Sequence, residues 1–162
     1  MHAVVFTHIM ATHVSIVSML RSSGFHVCEV SGTTAADKRH ETIRDFQASG
    51  AARKKVAKVF VITMRTGAVG ITLTAATRVY LMEPSFDPAM EVQAAGRIHR
   101  LGQDKDVLVK RFAFRDSLEA NICALHEAMK KPSSQVGVTD GVLPAAAVRI
   151  LLGSASGKAN AA

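Results

Sequence analysis

Lys58-Val59-Phe60-Val61-Ile62-Thr63 is the stretch that settles the fold class. Its four central residues are apolar without a break, and three of them are β-branched, the pattern of a strand covered on both faces rather than one alternating between core and water. Strands of that kind belong to parallel sheets, and the chain on either side supplies the partners. Upstream, Ala3 to Phe6 reads as a short buried strand; Ile16, Val17, Met19 and Leu20 carry helical periodicity up to Arg21, with Gly24 as the stop; and His26 to Val30 reads as a second strand. Ser31-Gly32-Thr33-Thr34 turns into a helix over about Ala35 to Ala48, whose apolar marks are Ile43 and Phe46. Downstream come a loop with Gly67 and Gly70, a strand at Arg78 to Met82, a helix from Pro88, a strand at Val107 to Phe112 and a helix from about Ser117 to Met129. This alternation predicts an α/β fold, a mostly parallel central sheet covered by helices on both sides, with function collected at the loops beyond the carboxyl ends of the strands.

With 162 residues, 48% of them hydrophobic, the chain can bury one ordinary core. The formal net charge of +7 and sequence pI of about 9.9 favour an acidic partner such as nucleic acid or a nucleotide. Cys28 and Cys123 lie far apart, without CxxC or Cys/His spacing, and read as buried structural thiols in a reducing compartment. Of the seven histidines only His8 and His13 are near neighbours, at a spacing no metal helix uses, so no metal is assigned. No apolar run reaches membrane-spanning length, and the amino terminus lacks a signal peptide's basic start, so a soluble intracellular protein is expected. From Pro132 onward the residues turn to Ala, Gly, Ser and Val; residues 144–152 have the makings of a short helix, but the reading favoured is a disordered tail over 132–162 beside a domain over 1–131.

The chemistry concentrates in Gln93-Ala94-Ala95-Gly96-Arg97-Ile98-His99-Arg100-Leu101-Gly102-Gln103. Gln93, Arg97 and Arg100 fall at i, i+4 and i+7, within roughly 60° of one another on a helix. Ala94, Ile98 and Leu101 form a parallel apolar stripe that would pack. Asp87 is an N-cap candidate ahead of Pro88, Glu91 favours the helix dipole, and the helix is expected to end near Arg100 with Gly102 as its stop. Gly96 costs about 1 kcal/mol relative to Ala inside a helix, which suggests close approach by another backbone or a ligand. Such a stripe is suited to hold an anion.

Thr63 to Thr74, with its hydroxyls, Arg65, Gly67 and Gly70 at a strand end, suits phosphate contacts, whether from a nucleotide or a nucleic-acid backbone. Arg53-Lys54-Lys55 and the weaker group Lys110, Arg111 and Arg115 add positive charge without interleaved aromatics. The sequence contains no GxxxxGK[ST] loop to cradle a triphosphate and no Asp-Glu pair after a strand to hold Mg²⁺. Arginines fit to stabilise phosphoryl transfer thus stand without the elements that bind the nucleotide, which reads as half of an active site.

Over roughly residues 3 to 131 the chain resembles the second RecA-like lobe of a superfamily-two helicase-type ATPase, in particular of the SWI/SNF-like DNA translocases. Four blocks match in order: Val4-Val5-Phe6-Thr7-His8 with the helix after it; Ser31-Gly32-Thr33 with Arg39, Ile43 and Phe46; Thr63 to Ala76; and Glu83-Pro84 through Asp87-Pro88-Ala89 and Gln93 to Gln103. The string His99-Arg100-Leu101-Gly102-Gln103 separates this branch from DEAD-box RNA helicases, and Glu83-Pro84 with Gly96 is similar to the subgroup linked to ubiquitin ligase activity and DNA-damage tolerance. The chain departs from the family at His8, Ile9, Ser31, Ala68 and Thr72.

The resemblance implies a RecA-like three-layer α/β/α fold. It also implies that Arg97 and Arg100 act as arginine fingers on the γ-phosphate of ATP, bound with Mg²⁺ mainly by a first RecA-like lobe in cis or in trans. Gln93, Gly67 and Gly70 would line the same cleft, and Thr33, Arg39, Thr63 and Thr66 would touch the phosphate backbone of the partner, double-stranded DNA or chromatin. A nuclear location and a role in remodelling or repair follow from the same source. The alternative is a non-catalytic RecA-like module that binds nucleic acid or protein.

Overall fold

A computed structural model describes residues 2–48, 57–67, 70–99, 105–130 and 143–153. The chain divides into two compact units, residues 1–112 and 113–162.

The first unit is built on five strands: β1 (His2–Thr7), β2 (His26–Val30), β3 (Lys58–Thr63), β4 (Arg78–Leu81) and β5 (Leu108–Arg111). They lie in the order β2-β3-β1-β4-β5, and every pairing is parallel. Among the described residues, four helices connect them: α1 (Met10–Ser22), α2 (Ala36–Gln47), the single turn α3 (Met64–Gly67) and α4 (Pro88–Gly96).

Side-chain alternation divides the sheet into two cores. Val4, Phe6, Cys28, Val30, Phe60, Ile62, Val79 and Leu81 face Phe46 of α2, Ala94 of α4 and Ile98. Val5, Val59 and Val61 face Ile16 and Val17 of α1. Both faces of β3 are therefore covered, which is why its sequence runs apolar without alternation. Phe46 packs edge-on against Phe60, with centroids 5.2 Å apart, a geometry that contributes about 0.5–1.5 kcal/mol beyond burial.

The connection from β1 to β2 runs one way along the sheet, and those from β2 to β3, β3 to β4 and β4 to β5 run the other way. Because parallel crossovers are almost always right-handed, opposite directions require opposite faces. Accordingly, among the described residues of the first unit, α1 covers one face, while α2, residues 71–76 and α4 share the other. The chain direction switches at β1, so the crevice for a ligand lies where the carboxyl end of β1 meets those of β3 and β4.

The second unit contains α5 (Leu118–Met129) and α6 (Ala145–Leu151). Ser117 caps α5 as its hydroxyl accepts the Glu119 N–H. Within the stretch read as a disordered tail, residues 143–153 hold α6, whose Ala147 and Leu151 bury against Ile122 and Leu125 of α5. Asn121 donates to the Leu151 carbonyl at 3.0 Å. The apolar spacing of Ala147 and Leu151, one turn apart, found a partner that composition alone did not suggest. Residues 132–142 and 154–162 of that tail, and the basic patch Arg53-Lys54-Lys55, lie outside the described residues.

Candidate functional site

Parallel strands deliver their loops to one edge of the sheet, and the residues singled out above come from the loops after β2 and β3 and from the segment introduced by the loop after β4. At the switch point, Thr7 is fully buried and donates its hydroxyl to Glu83 Oε1 at 2.8 Å. Glu83 Oε2 accepts the His8 N–H at 3.0 Å, and Thr7 Oγ1 accepts the Ile9 N–H at 3.1 Å. A carboxylate after β4 thus fastens the turn after β1, which has no side-chain cap of its own at Ile9. Its signal in the sequence is an acidic residue directly beyond a buried strand.

Beyond β2, the Ser31 N–H donates to Thr34 Oγ1 at 3.0 Å and the Thr34 N–H to the Ser31 carbonyl at 3.1 Å, closing a tight turn. Thr33 is exposed in that turn, with its hydroxyl 3.0 Å from Ser31 Oγ. Arg39, half-buried on α2, reaches back to the Thr34 carbonyl at 3.5 Å. Beyond β3, the hydroxyls of Thr63 and Thr66 are 2.8 Å apart. A Cβ on Gly32 would stand 3.9 Å from Thr66 Oγ1, so the β2 and β3 loops lie side by side. Thr33, Arg39, Thr63 and Thr66 therefore gather at one corner of the edge, with Thr66 itself 6% exposed.

The β3 to β4 connection buries Ile71, Leu73 and Ala76 in the core of the α2 and α4 face. Gln47, the last residue of α2, grips it: Nε2 donates to the Thr72 carbonyl at 3.0 Å and lies 3.4 Å from Thr74 Oγ1, and Oε1 accepts the Ala75 N–H at 2.9 Å. Gln47 was missed because nothing local in the sequence marks a contact across so long a separation. Higher in the same connection, the Leu73 N–H donates to the Arg97 carbonyl at 2.9 Å, joining the glycine-bearing loop to the arginine segment. Gly70 is exposed there with φ of +50°, in the left-handed region.

In α4 Asp87 is the N-cap, accepting the Ala89 N–H at 2.9 Å ahead of Pro88. Ala94 and Ile98 are buried, at 4% and 0% exposure, as the apolar stripe requires. The helix ends at Gly96, earlier than the expected end near Arg100. Arg97 N–H bonds to the Ala94 carbonyl at 3.2 Å and Ile98 N–H to that of Ala95 at 3.0 Å, the tightened i to i+3 pattern of a closing turn. Nothing described lies within 4 Å of a Cβ on Gly96, so no described neighbour within the chain supplies the close approach its presence suggested. Glu91 does more than favour the dipole. It is 4% exposed, accepts the Ser85 N–H at 2.9 Å and pairs with the Arg111 guanidinium, locking α4 to β5.

Gln93 is exposed and Arg97 half-buried, on one side of α4 and its closing turn. Arg100 and Gly102 lie outside the described residues, and of Gly67 only its place at the end of α3 is described. A half-buried arginine bonded through its carbonyl to the loop that bears a left-handed glycine, and a separate corner of hydroxyls with one arginine, suit two anionic contacts along a single edge. Among the described residues, no helix is long and apolar enough to cross a membrane.

Comparison with known proteins gives the family of the chain. A family model described as the helicase conserved C-terminal domain matches residues 2–102. The human helicase-like transcription factor is 35% identical over 121 residues, 74% of this chain and 12% of that protein. The DNA repair protein RAD5B of Arabidopsis thaliana is 37% identical over 100 residues, 62% of this chain and 7% of that protein. The crystal structure of the C-terminal part of the Fun30 ATPase domain superposes with a TM-score of 0.68 at 26% identity, covering 76% of this chain and 38% of that one. The chain thus spans about a tenth of the length of the two curated relatives.

Proposed function

Because the chain belongs to the helicase conserved C-terminal domain family, as the second lobe of the SWI/SNF-like class, we propose that it completes the ATPase site of a DNA translocase whose other wall a first lobe provides. The observation that carries this reading is the 2.9 Å bond between the Leu73 N–H and the Arg97 carbonyl. It joins the connection that starts at the Thr63 and Thr66 corner to the arginine segment, so a shift at one is passed to the other through the backbone.

In this reading Arg97 and Arg100 extend their guanidiniums to the γ-phosphate of ATP, while Gln93, Gly67 and Gly70 line the cleft. Bound nucleotide with Mg²⁺ supplies the phosphoryl group; the contribution of this chain is positive charge placed where negative charge develops, worth about 10³ to 10⁵ in rate for an arginine finger. Thr33, Arg39, Thr63 and Thr66 hold the phosphate backbone of duplex DNA. Closure of the two lobes brings Arg97 to the phosphate and displaces the hydroxyl corner along the strand, and reopening resets it. Remodelling or repair of chromatin in the nucleus is supported by the relatives, whose names include a DNA repair protein.

The experiment is ATP hydrolysis by the chain alone and after addition of a first lobe bearing a GK[ST] loop and an Asp-Glu pair. The isolated chain is expected to be inactive and the mixture active with DNA. Turnover by the chain alone at the rate of the mixture would refute the shared site.

A further inference from the structure

At the opposite end of β2 from the phosphate-contact corner, the fold assembles a group that no sequence spacing announced. His26 and Cys28, two apart on β2, point to the same face of the sheet, and α2 lays Asp45 over them. Asp45 Oδ2 is 2.7 Å from His26 Nε2 and 3.4 Å from Cys28 Sγ, and the three candidate donor atoms all lie within 4.8 Å of one another. Lys58 Nζ engages the other carboxylate oxygen at 3.0 Å, together with the carbonyls of Asp45 and Ala48. One oxygen of Asp45 is thereby fixed, and the other is turned toward both the imidazole and the thiol.

We infer that His26, Cys28 and Asp45 form a binding site for a tetrahedral divalent ion of the Zn²⁺ class. Nitrogen, sulfur and one carboxylate oxygen suit a borderline-soft ion and disfavour Mg²⁺ or Ca²⁺, which require oxygen ligands. An ion with bonds of about 2.0–2.3 Å sets its ligands roughly 3.3–3.7 Å apart, so the His26 to Asp45 gap opens slightly and the His26 to Cys28 gap closes by about an ångström at most. Those are rotamer adjustments, with Asp45 and His26 both half-exposed and Cys28 supplied from the core at 4% exposure. The fourth position opens into a groove of about 610 Å³ along the sheet edge between α1 and α2, where water can complete the tetrahedron.

In the metal-free protein the Asp45 carboxylate ties the imidazole and the thiol together through hydrogen bonds. Burial and then Asp45 push the Cys28 thiol up to about 12, while His26 and Lys58 hold the Asp45 carboxyl down at about 2. Binding forms the metal–sulfur bond as the thiol proton leaves to solvent, and the neutral imidazole ligates through Nε2 with its one proton on Nδ1, with no change of oxidation state. The ion braces the last turn of α2, and Gln47, two residues beyond Asp45, is the residue that grips the β3 to β4 connection.

The test is titration of the full, chelator-stripped chain with Co²⁺. The expected result is one equivalent giving tetrahedral visible bands and a thiolate-to-metal charge-transfer band, all abolished by Zn²⁺. Cys28→Ser removes the charge-transfer band, and Cys123→Ser leaves it. His26→Gln and Asp45→Asn, both at half-exposed positions where folding is tolerant, keep the band but weaken Zn²⁺ binding at least tenfold, no less than loss of an outer-shell partner costs. No charge-transfer band from the unmutated chain at millimolar Co²⁺ overturns the site. So does a band that survives Cys28→Ser, or an affinity unchanged by His26→Gln.

Discussion

Replacing Gln47 with Ala removes the side chain that ties α2 to the 72–75 stretch. Two of its bonds have good length, at 3.0 and 2.9 Å, and the third is long at 3.4 Å. At about 1 kcal/mol for each good bond and half that for the long one, the gross loss is roughly 2.5 kcal/mol. Gln47 is half-buried, so water recovers part of it at the Thr72 carbonyl and Ala75 N–H, leaving about 2 kcal/mol. For a unit of this size that corresponds to a fall of about 8–12 °C in Tm. Because the same connection bonds to Arg97 through Leu73, the loss should not be uniform: amide exchange at Ala75 and Leu73 should accelerate by more than that of the β1 and β3 core. Thermal melts followed by circular dichroism and residue-resolved hydrogen exchange measure both. A Tm within 2 °C of the parent with unchanged exchange at Leu73 would refute the coupling of α2 to the arginine segment.

Two further outcomes follow from charges the fold has placed. Glu91→Ala leaves Arg111 without its buried partner and the Ser85 N–H without its acceptor. With Arg111 partly exposed the cost should be about 3 kcal/mol in denaturant unfolding, and Glu91→Gln, which keeps an acceptor for Ser85, should cost less. Asp45 is held at about 2, below its ordinary value of 3.8, so its stabilisation is complete above pH 4 and is lost as pH falls through 2. In metal-free protein the parent should lose about 1 kcal/mol more than Asp45→Asn across that window, after allowance for solvent screening at a half-exposed site, and parallel curves would contradict it.

The sheet was legible because its signals are local. The unbroken apolar run at Lys58 to Thr63 demanded cover on both faces, and Asp87-Pro88 announced the start of α4 through capping chemistry. The end of α4 was not legible, because a closing turn at Ala94 to Ile98 depends on where Leu73 docks, and that is a tertiary fact. Composition gave no reason for α6 to pack, since the short apolar stripe within residues 143–153 gains meaning only against α5. Of the candidate residues, the types and the sheet edge that carries them were readable. Gln47 and the His26, Cys28 and Asp45 group were not, since each joins elements distant in sequence through packing, without a motif's spacing.

The central claim is that Arg97 completes an ATPase site shared with a first lobe. Steady-state, DNA-stimulated ATP hydrolysis by the reconstituted pair, with Arg97 or Arg97→Ala in this chain, tests it most directly. The account predicts a fall in kcat of about 10³-fold or more, with KM for ATP changed only a few-fold, since a finger acts on the transition state. Retention of kcat within tenfold, with the variant folded and still bound to the first lobe, would contradict it.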